Sequence, residues 1–459
     1  MDKKIYVKDV LRECNGKLIK GDENTELVSF SKDTRTLQKG DTYIGIKGES
    51  FDGGTFYKDA FSNGASSCIL NSNIEVDLSL IPEDGSVIVV DDTLEALEKL
   101  ASYKRSLYDI PVIAVTGSVG KTSTRDLIGC VLKTKYKVLQ TEKNFNNNIG
   151  MPLTILSLKD EDILLLEIGM NHFGELHKLS SIAKPTLAVI TNIGTAHIGN
   201  LGSRENILKA KLEILDGMDE KVLVANIDND IISSHIDEIK QKSTVTTVGI
   251  DANADYNATD INRDVFSSSF KINGLDFTVN AGGKAYIYNS LVAYAVGKKF
   301  DISDQDIKEG IEKFRLGENR LEKIEIKNGV TLINDTYNAS LDSIKNSMEL
   351  LHNSKFSRKI LVLGDVLELG EYSNSIHEEI YKEILKYKFD YLIMVGPELK
   401  KASKVLEDAN YDMNTVYFFN NEKESYDTID KLLSPGDVML LKGSHSMDLI
   451  NIVNRLRGQ

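Results

Sequence analysis

Short apolar runs alternate with helical spacings through most of this chain. Residues 112–115, 163–168, 187–191 and 222–226 read as strands, each carrying a run of four apolar residues of the kind that forms a buried parallel strand. Between them, residues 123–133, 175–183 and 205–215 place apolar side chains at helical intervals. The alternation predicts a doubly wound sheet, whose right-handed crossovers bring the C-terminal ends of the strands to one rim, where open α/β sheets bind ligands.

On either side the pattern differs. Residues 28–48 read as two strands joined by a polar turn, followed by a Gly-rich loop at 48–54 and a short helix at 55–63. A strand at 87–90 and a helix at 94–107 complete this first block. Beyond the central sheet, residues 268–279 alternate around Asn273-Gly274, a strong hairpin signal, and 289–296 is helical. Ser303 to Asp306 caps a further helix. The polar link 315–320 leads to strands at 360–363, 391–395, 415–419 and 438–441, separated by helices. The expected architecture is therefore α/β in three domains: a small N-terminal α/β domain (1–100), a central doubly wound P-loop sheet (101–314) and a C-terminal Rossmann-like α/β domain (315–459).

Composition narrows the picture. A chain of 459 residues exceeds a single core, and 41% hydrophobic with 27% charged residues is ordinary for a soluble protein. The net charge of −14 argues against nucleic acid or an anionic membrane as partner. Cys14, Cys68 and Cys130 are scattered and odd in number, which fits a reducing compartment better than a disulfide framework. The N-terminus has no apolar core of signal-peptide length and no run approaches a membrane span, so a cytoplasmic protein is expected.

The chemistry centres on Thr116-Gly-Ser-Val-Gly-Lys-Thr-Ser123, where the opening strand of the central block turns into a helix. Gly117 and Gly120 let backbone N–H groups of the Ser118-Val119 loop approach phosphate oxygens, and the helix N-terminus adds partial positive charge. Lys121 supplies a point charge for the terminal phosphates and Thr122 a hydroxyl for magnesium. Val115 stands where the general loop has its first Gly, so the form here is the shorter Gly-x-x-Gly-Lys-Thr. Two later strands exit into polar groups on the expected rim. One leads to Glu167, Gly169, Asn171 and His172, the other to Thr191, Asn192, Gly194 and His197. A carboxylate and a hydroxyl beside phosphate suit Mg²⁺, whereas His is an unusual ligand for so hard an ion. In the first block, Asp33, Thr34 and Arg35 read equally as a solvated turn or an anionic-ligand site.

Taken together these segments resemble the Mur ligase family, the ATP-dependent amino-acid-adding ligases of peptidoglycan precursor synthesis. The resemblance is carried by the phosphate loop, Asn144-Phe-Asn-Asn-Asn-Ile-Gly150, Glu167-Ile-Gly-Met-Asn-His172, Thr191-Asn-Ile-Gly-Thr-Ala-His197 and Ala210-Lys-Leu-Glu213. In the last third it is carried by Asn319-Arg-Leu-Glu322, Asn334-Asp-Thr-Tyr-Asn-Ala339, Leu363-Gly-Asp-Val-Leu-Glu-Leu-Gly370 and Leu441-Lys-Gly-Ser444. Within the family the chain is most similar to the branch that adds D-alanyl-D-alanine to UDP-N-acetylmuramoyl-tripeptide through an acyl phosphate. The alternatives left open are another Mur-type ligase with a different amine or acceptor and a non-catalytic nucleotide-binding paralogue.

The resemblance implies roles. Residues 117–123, Asn192, Arg320 and Asp335 would bind ATP, with Arg320 near phosphate and Asp335 near ribose. Thr122, Glu167 and His197 would hold Mg²⁺, joined by Lys211 once carbamylated; Lys121, Lys211, Glu167 and His197 form the implied catalytic set. By its residue type alone, Lys211 is one of two lysines on a charged helix. Ser31, Asp33, Thr34, Arg35, Lys47 and Gly48, within a loop running to Gly53, would hold the uridine diphosphate, and Asn144, Asn146 and Asn147 would face the muramoyl peptide. Tyr337, Asn338, Asp365 and Glu368 would receive the amine, with capping and loop hydrogen bonds as the alternative reading of these four. The expected protein is a monomer. It departs from the family pattern at Ala285-Tyr286, where His-Asn is usual, at Ser340-Leu341 after Asn-Ala, at His445 and at Gly54.

Overall fold

The computed structural model describes residues 2–48, 51–326 and 329–458. The chain divides into two compact units, one of Met1–Thr116, Lys135–Ala188 and Leu212–Val222, the other of Gly117–Thr134, Val189–Lys211 and Leu223–Gln459. Glu49 and Ser50, inside the loop expected to hold uridine diphosphate, lie outside the described residues.

In the first unit a five-stranded sheet runs in the order Lys17–Lys20, Ser86–Val90, Ser67–Asn71, Thr42–Ile44, Phe30–Ser31. Only the first of these strands is antiparallel to its neighbour. Tyr43, Tyr57, Phe61, Leu70 and Val87 pack in its core. The two strands expected within 28–48 exist, but they lie side by side in parallel, so the segment between them crosses over rather than turning back. Polar composition marked the connection without fixing its direction. The same unit pairs Ile163–Glu167 in parallel with Val112–Thr116 on one side and Val138–Gln140 on the other. Ile163–Glu167 and Val112–Thr116 are buried along their whole length, which is why the first four residues of each read as an unbroken apolar run.

In the second unit Thr244–Gly249 pairs in parallel with Tyr256–Arg263, which continues antiparallel into Ser268–Ile272 and Leu275–Val279. The hairpin between the last two strands has Asn273 at φ 51° and Gly274 at φ 79°, the two positive dihedrals that a tight type I′ turn requires. The six-stranded sheet of this unit has the order Glu322–Ile326, Val330–Asn334, Asp437–Lys442, Arg358–Gly364, Tyr391–Val395, Val416–Phe419. Its first strand is antiparallel and the rest are parallel, around a core that includes Leu332, Val362, Ile393, Met439 and Leu441.

Helix boundaries shift modestly from expectation. The helix expected at 205–215 runs from Arg204 to Leu212 and tightens into the 3₁₀ turn Glu213–Leu215. The helix expected at 289–296 begins earlier, spanning Lys284–Lys299 after Gly283 at φ 97°. Ser303 caps Asp304–Lys313 as expected, its hydroxyl accepting from the Asp306 N–H at 3.1 Å. Among the described residues no helix is long and apolar enough to cross a membrane.

Candidate active site

The phosphate loop is wound by its neighbours as much as by its glycines. Gly117 has φ 151°, and a Cβ there would stand 1.9 Å from the Thr191 hydroxyl oxygen. Gly120, at φ 84°, turns the chain into the helix Lys121–Leu132. Between them the loop is clasped by the segment 191–194. Asn192 spends its amide on Val119, accepting from the N–H at 3.0 Å and donating to the carbonyl at 2.9 Å. Thr191 donates to the same carbonyl at 2.7 Å, Ser118 N–H donates to the Asn192 carbonyl, and Gly194 N–H donates to Ser118 Oγ. Lys121 folds its ammonium onto the Gly117 carbonyl at 2.8 Å. Asn192, expected among nucleotide contacts, is thus first a splint for the loop.

Lys211 lies in the last turn of Arg204–Leu212 and is 1% exposed. Burial, and secondarily the positive charge of Lys121, hold its ammonium well below its ordinary pKa. His197 precedes the short helix Ile198–Leu201 with φ 64°, and its Nδ1 is 3.9 Å from Glu368 Oε2. Glu368 itself sits at φ 63°. Positive φ at two facing residues that are not glycine is backbone strain held in place by surrounding contacts.

Arg320 donates to the Thr122 hydroxyl at 3.2 Å and stacks its guanidinium 4.0 Å from the centre of the Tyr337 ring. The ring of His445 lies 6.4 Å beyond Tyr337. Asp335 is buried, accepting from Lys442 Nζ at 2.6 Å and from Ser347 Oγ at 2.8 Å, while Lys442 also donates to the Asn338 carbonyl. The sequence marks Lys442 only as part of a motif, although a lysine after the apolar run 438–441 is its signal. Tyr286 is buried, and burial pushes its phenol up to about 12. A pocket opens beside it, lined by Arg263, Gly283, Ala285, Asn346, Ser347 and Asn353 among others.

Asp365, expected on the amine-receiving face, is 1% exposed and accepts from the Glu398 and Leu399 N–H groups at 3.0 and 2.8 Å, holding the start of helix Pro397–Ala402. Here the capping reading describes its contacts. Glu368 is exposed and turned toward His197 instead.

In the first unit Glu167 is 2% exposed at the end of its strand and accepts from Asn146 Nδ2 at 2.8 Å, which brings two expected site residues together. Asn147 Oδ1 accepts from the Ile149 and Gly150 N–H groups at the start of helix Gly150–Leu156, whereas Asn144 is exposed. Asp33 and Arg35 form a two-point pair, 2.6 Å at its closest, with Ser31 Oγ bonded to the Asp33 backbone. The Arg35 guanidinium holds the Asp33 carboxyl down at about 2. Thr34 offers its carbonyl to Asn63, the Lys47 backbone pairs with that of Asp52 in an isolated antiparallel β-bridge, and Gly48 N–H donates to the Phe51 carbonyl. Gly45 and Gly54 pack so closely that a Cβ on Gly45 would stand 2.5 Å from Gly54 Cα.

Residues 115–297 match the family model of the Mur ligase middle domain and 319–445 that of the Mur ligase, glutamate ligase domain. The UDP-N-acetylmuramoyl-tripeptide–D-alanyl-D-alanine ligase of Bacillus subtilis is 36% identical over 95% of this chain and 94% of its own. The chain belongs to the Mur ligase family. Among solved structures, MurF from Acinetobacter baumannii superposes with a TM-score of 0.89 at 27% identity, covering 100% of both chains. MurF ligase from Thermotoga maritima in complex with ADP gives 0.79 at 26% identity, over 94% of this chain and 97% of that one. The fold of this Mur ligase is the three-domain α/β fold of those neighbours.

Proposed function

We propose that this Mur ligase joins D-alanyl-D-alanine to UDP-N-acetylmuramoyl-tripeptide at the expense of ATP, in peptidoglycan precursor synthesis. The tripeptide carboxylate attacks the γ-phosphorus of ATP and releases ADP. The dipeptide amine then adds to the acyl carbon of the acyl phosphate, and collapse of the tetrahedral intermediate expels phosphate and leaves the amide. The observation that carries the reading is the clasped loop with Lys121 and buried Lys211 in electrostatic reach, in a chain that aligns end to end with a ligase of that name.

The two anions that must meet are the first obstacle, and Lys121 offsets part of their repulsion at the phosphates. Arg320, beside Thr122, faces the same phosphates. The pocket lined by Tyr286 takes the adenine: Ser347 in its wall bonds Asp335, the ribose contact. Tyr337 and Asn338 receive the dipeptide. Glu368 belongs with them, and Asp365 acts behind them through the helix it holds. Ser31, Asp33, Thr34, Arg35, Lys47 and Gly48 hold the uridine diphosphate, and Asn144, Asn146 and Asn147 the muramoyl peptide.

Magnesium, when bound, screens phosphate charge and orients the attacking carboxylate. Thr122 and Glu167 are hard oxygen donors suited to it, and Glu167 is buried at the end of its strand. His197 would be a further ligand, and Lys211, its amine kept neutral by burial, would become an anionic oxygen donor on adding CO2 and losing a proton. The domains are 1–100 for the UDP-substrate, 101–314 for ATP and 315–459 for the amine and nucleotide. The protein works in the cytoplasm as a monomer, a setting that suits three free cysteines. Phosphate release by the purified protein with ATP, magnesium and UDP-muramoyl-tripeptide tests the reading. Release is expected with D-alanyl-D-alanine and not with single amino acids; no release with any amine overturns it.

A further inference from the structure

The segment that clasps the phosphate loop is gripped along three successive residues, and one grip comes from the last third of the chain. Ile193 offers its carbonyl to Arg204 at 2.6 Å and to Asn229 at 3.1 Å. Gly194 N–H is taken by Ser118 of the loop itself. Thr195 N–H donates to Asp342 Oδ2 at 3.2 Å. Asp342 stands in the first turn of helix Leu341–His352, capped by Ser340, where a carboxylate is favoured by the helix dipole. The approach is close: a Cβ on Gly194 would lie 2.1 Å from the same carboxylate oxygen. Two residues beyond Thr195 comes His197, strained at φ 64° and facing Glu368. The following turn is pinned as well, since Gly199 packs against the Glu368 and Leu369 backbone and Tyr372 donates to the Gly202 carbonyl at 2.7 Å.

We propose that Asp342 is a positioning residue for phosphoryl transfer. By accepting from Thr195 N–H it fixes the 191–197 segment, and through Ser118 and Asn192 the segment fixes the loop that presents Lys121. Nucleotide handling and the strained conformation of His197 are thereby set by a carboxylate that reaches them through the Thr195 backbone. The inference rests on the reading of the loop and His197 as parts of the catalytic set.

The test uses the full chain with Asp342→Ala, which removes the acceptor, and Asp342→Asn, which removes the charge and keeps an acceptor oxygen for Thr195. Asp342→Ala is expected to lower kcat about 10- to 100-fold, as loss of a supporting contact does, with KM for the UDP-substrate unchanged. Asp342→Asn restores most of kcat. Amide hydrogen exchange adds a readout independent of turnover: in Asp342→Ala it speeds up over residues 191–198 and stays at the wild-type rate in the strands Val330–Asn334 and Asp437–Lys442. Wild-type kcat in the Ala variant, or equal losses in both variants with faster exchange throughout, overturns the proposal. If the wild-type protein releases no phosphate, the functional reading fails, and the exchange pattern decides the role of Asp342 by itself.

Discussion

Two aspartate–cation pairs, one in each unit, have the same closest distance, 2.6 Å, and nearly opposite surroundings. In Asp33–Arg35 the side chains are 33% and 85% exposed; in Asp335–Lys442 they are 13% and 4% exposed. Water competes with the first pair and screens it, so its Coulomb energy contributes little to folding and its charges remain available to a ligand. The second pair has already left water. Removing either partner strands a buried charge, so its main effect is on whether the second unit holds together at all. The distance between two charges therefore says less about their task than the solvent around them.

The contrast can be broken in steps. Lys211 is the extreme case, buried beside a like charge rather than an opposite one. Lys211→Ala is expected to lower turnover at least about 100-fold while ATP binding by calorimetry persists. Full activity would dispose of the carbamate assignment. Next, Lys442→Met leaves Asp335 buried without its cation and is expected to cost about 3–5 kcal/mol in chemical denaturation. A loss within the scatter of surface variants would mean the pair is better hydrated than its burial indicates. Arg35→Ala should leave the unfolding midpoint unchanged and raise KM for the UDP-substrate, with kcat retained. An unchanged KM would return Asp33–Arg35 to the status of a solvated turn.

The smallest effect is a titration. The Asp33 carboxyl, held at about 2 by Arg35 against an ordinary 3.8, should move up toward that ordinary value in Arg35→Ala when followed by NMR. Because the folded pKa is depressed, whatever stability the pair contributes is complete above the ordinary value and is lost as pH falls through about 2. A midpoint that does not move would sever the pair in solution.

Legibility in the sequence followed the range of the interaction. Gly117 and Gly120 announced a phosphate loop, and Asn273-Gly274 a hairpin, because local dihedral demands restrict which residues fit. The buried strands were legible for a similar reason, since covering both faces leaves no polar alternation. Lys211 and Lys442 were not readable in isolation: each takes its meaning from burial created by distant segments. Asp365 was assigned to the amine face on resemblance, and its contacts instead hold a helix start more than thirty residues on. Asp342 carried no motif of its own, and only the folded chain brings it to Thr195. The direction of the strands within 28–48 was likewise invisible, because a polar connection serves a hairpin and a crossover equally.

The clasp around Val119 has a further consequence for how nucleotide arrives. A loop already wound by Asn192, Thr191 and Gly194 has surrendered its conformational freedom during folding, so under the proposed function ATP would meet a cradle rather than a string. Association should resemble docking more than coupled folding, with a small heat-capacity change on binding. Asn192→Ala would shift that ordering cost onto the nucleotide, slowing its capture before it altered any contact the nucleotide makes.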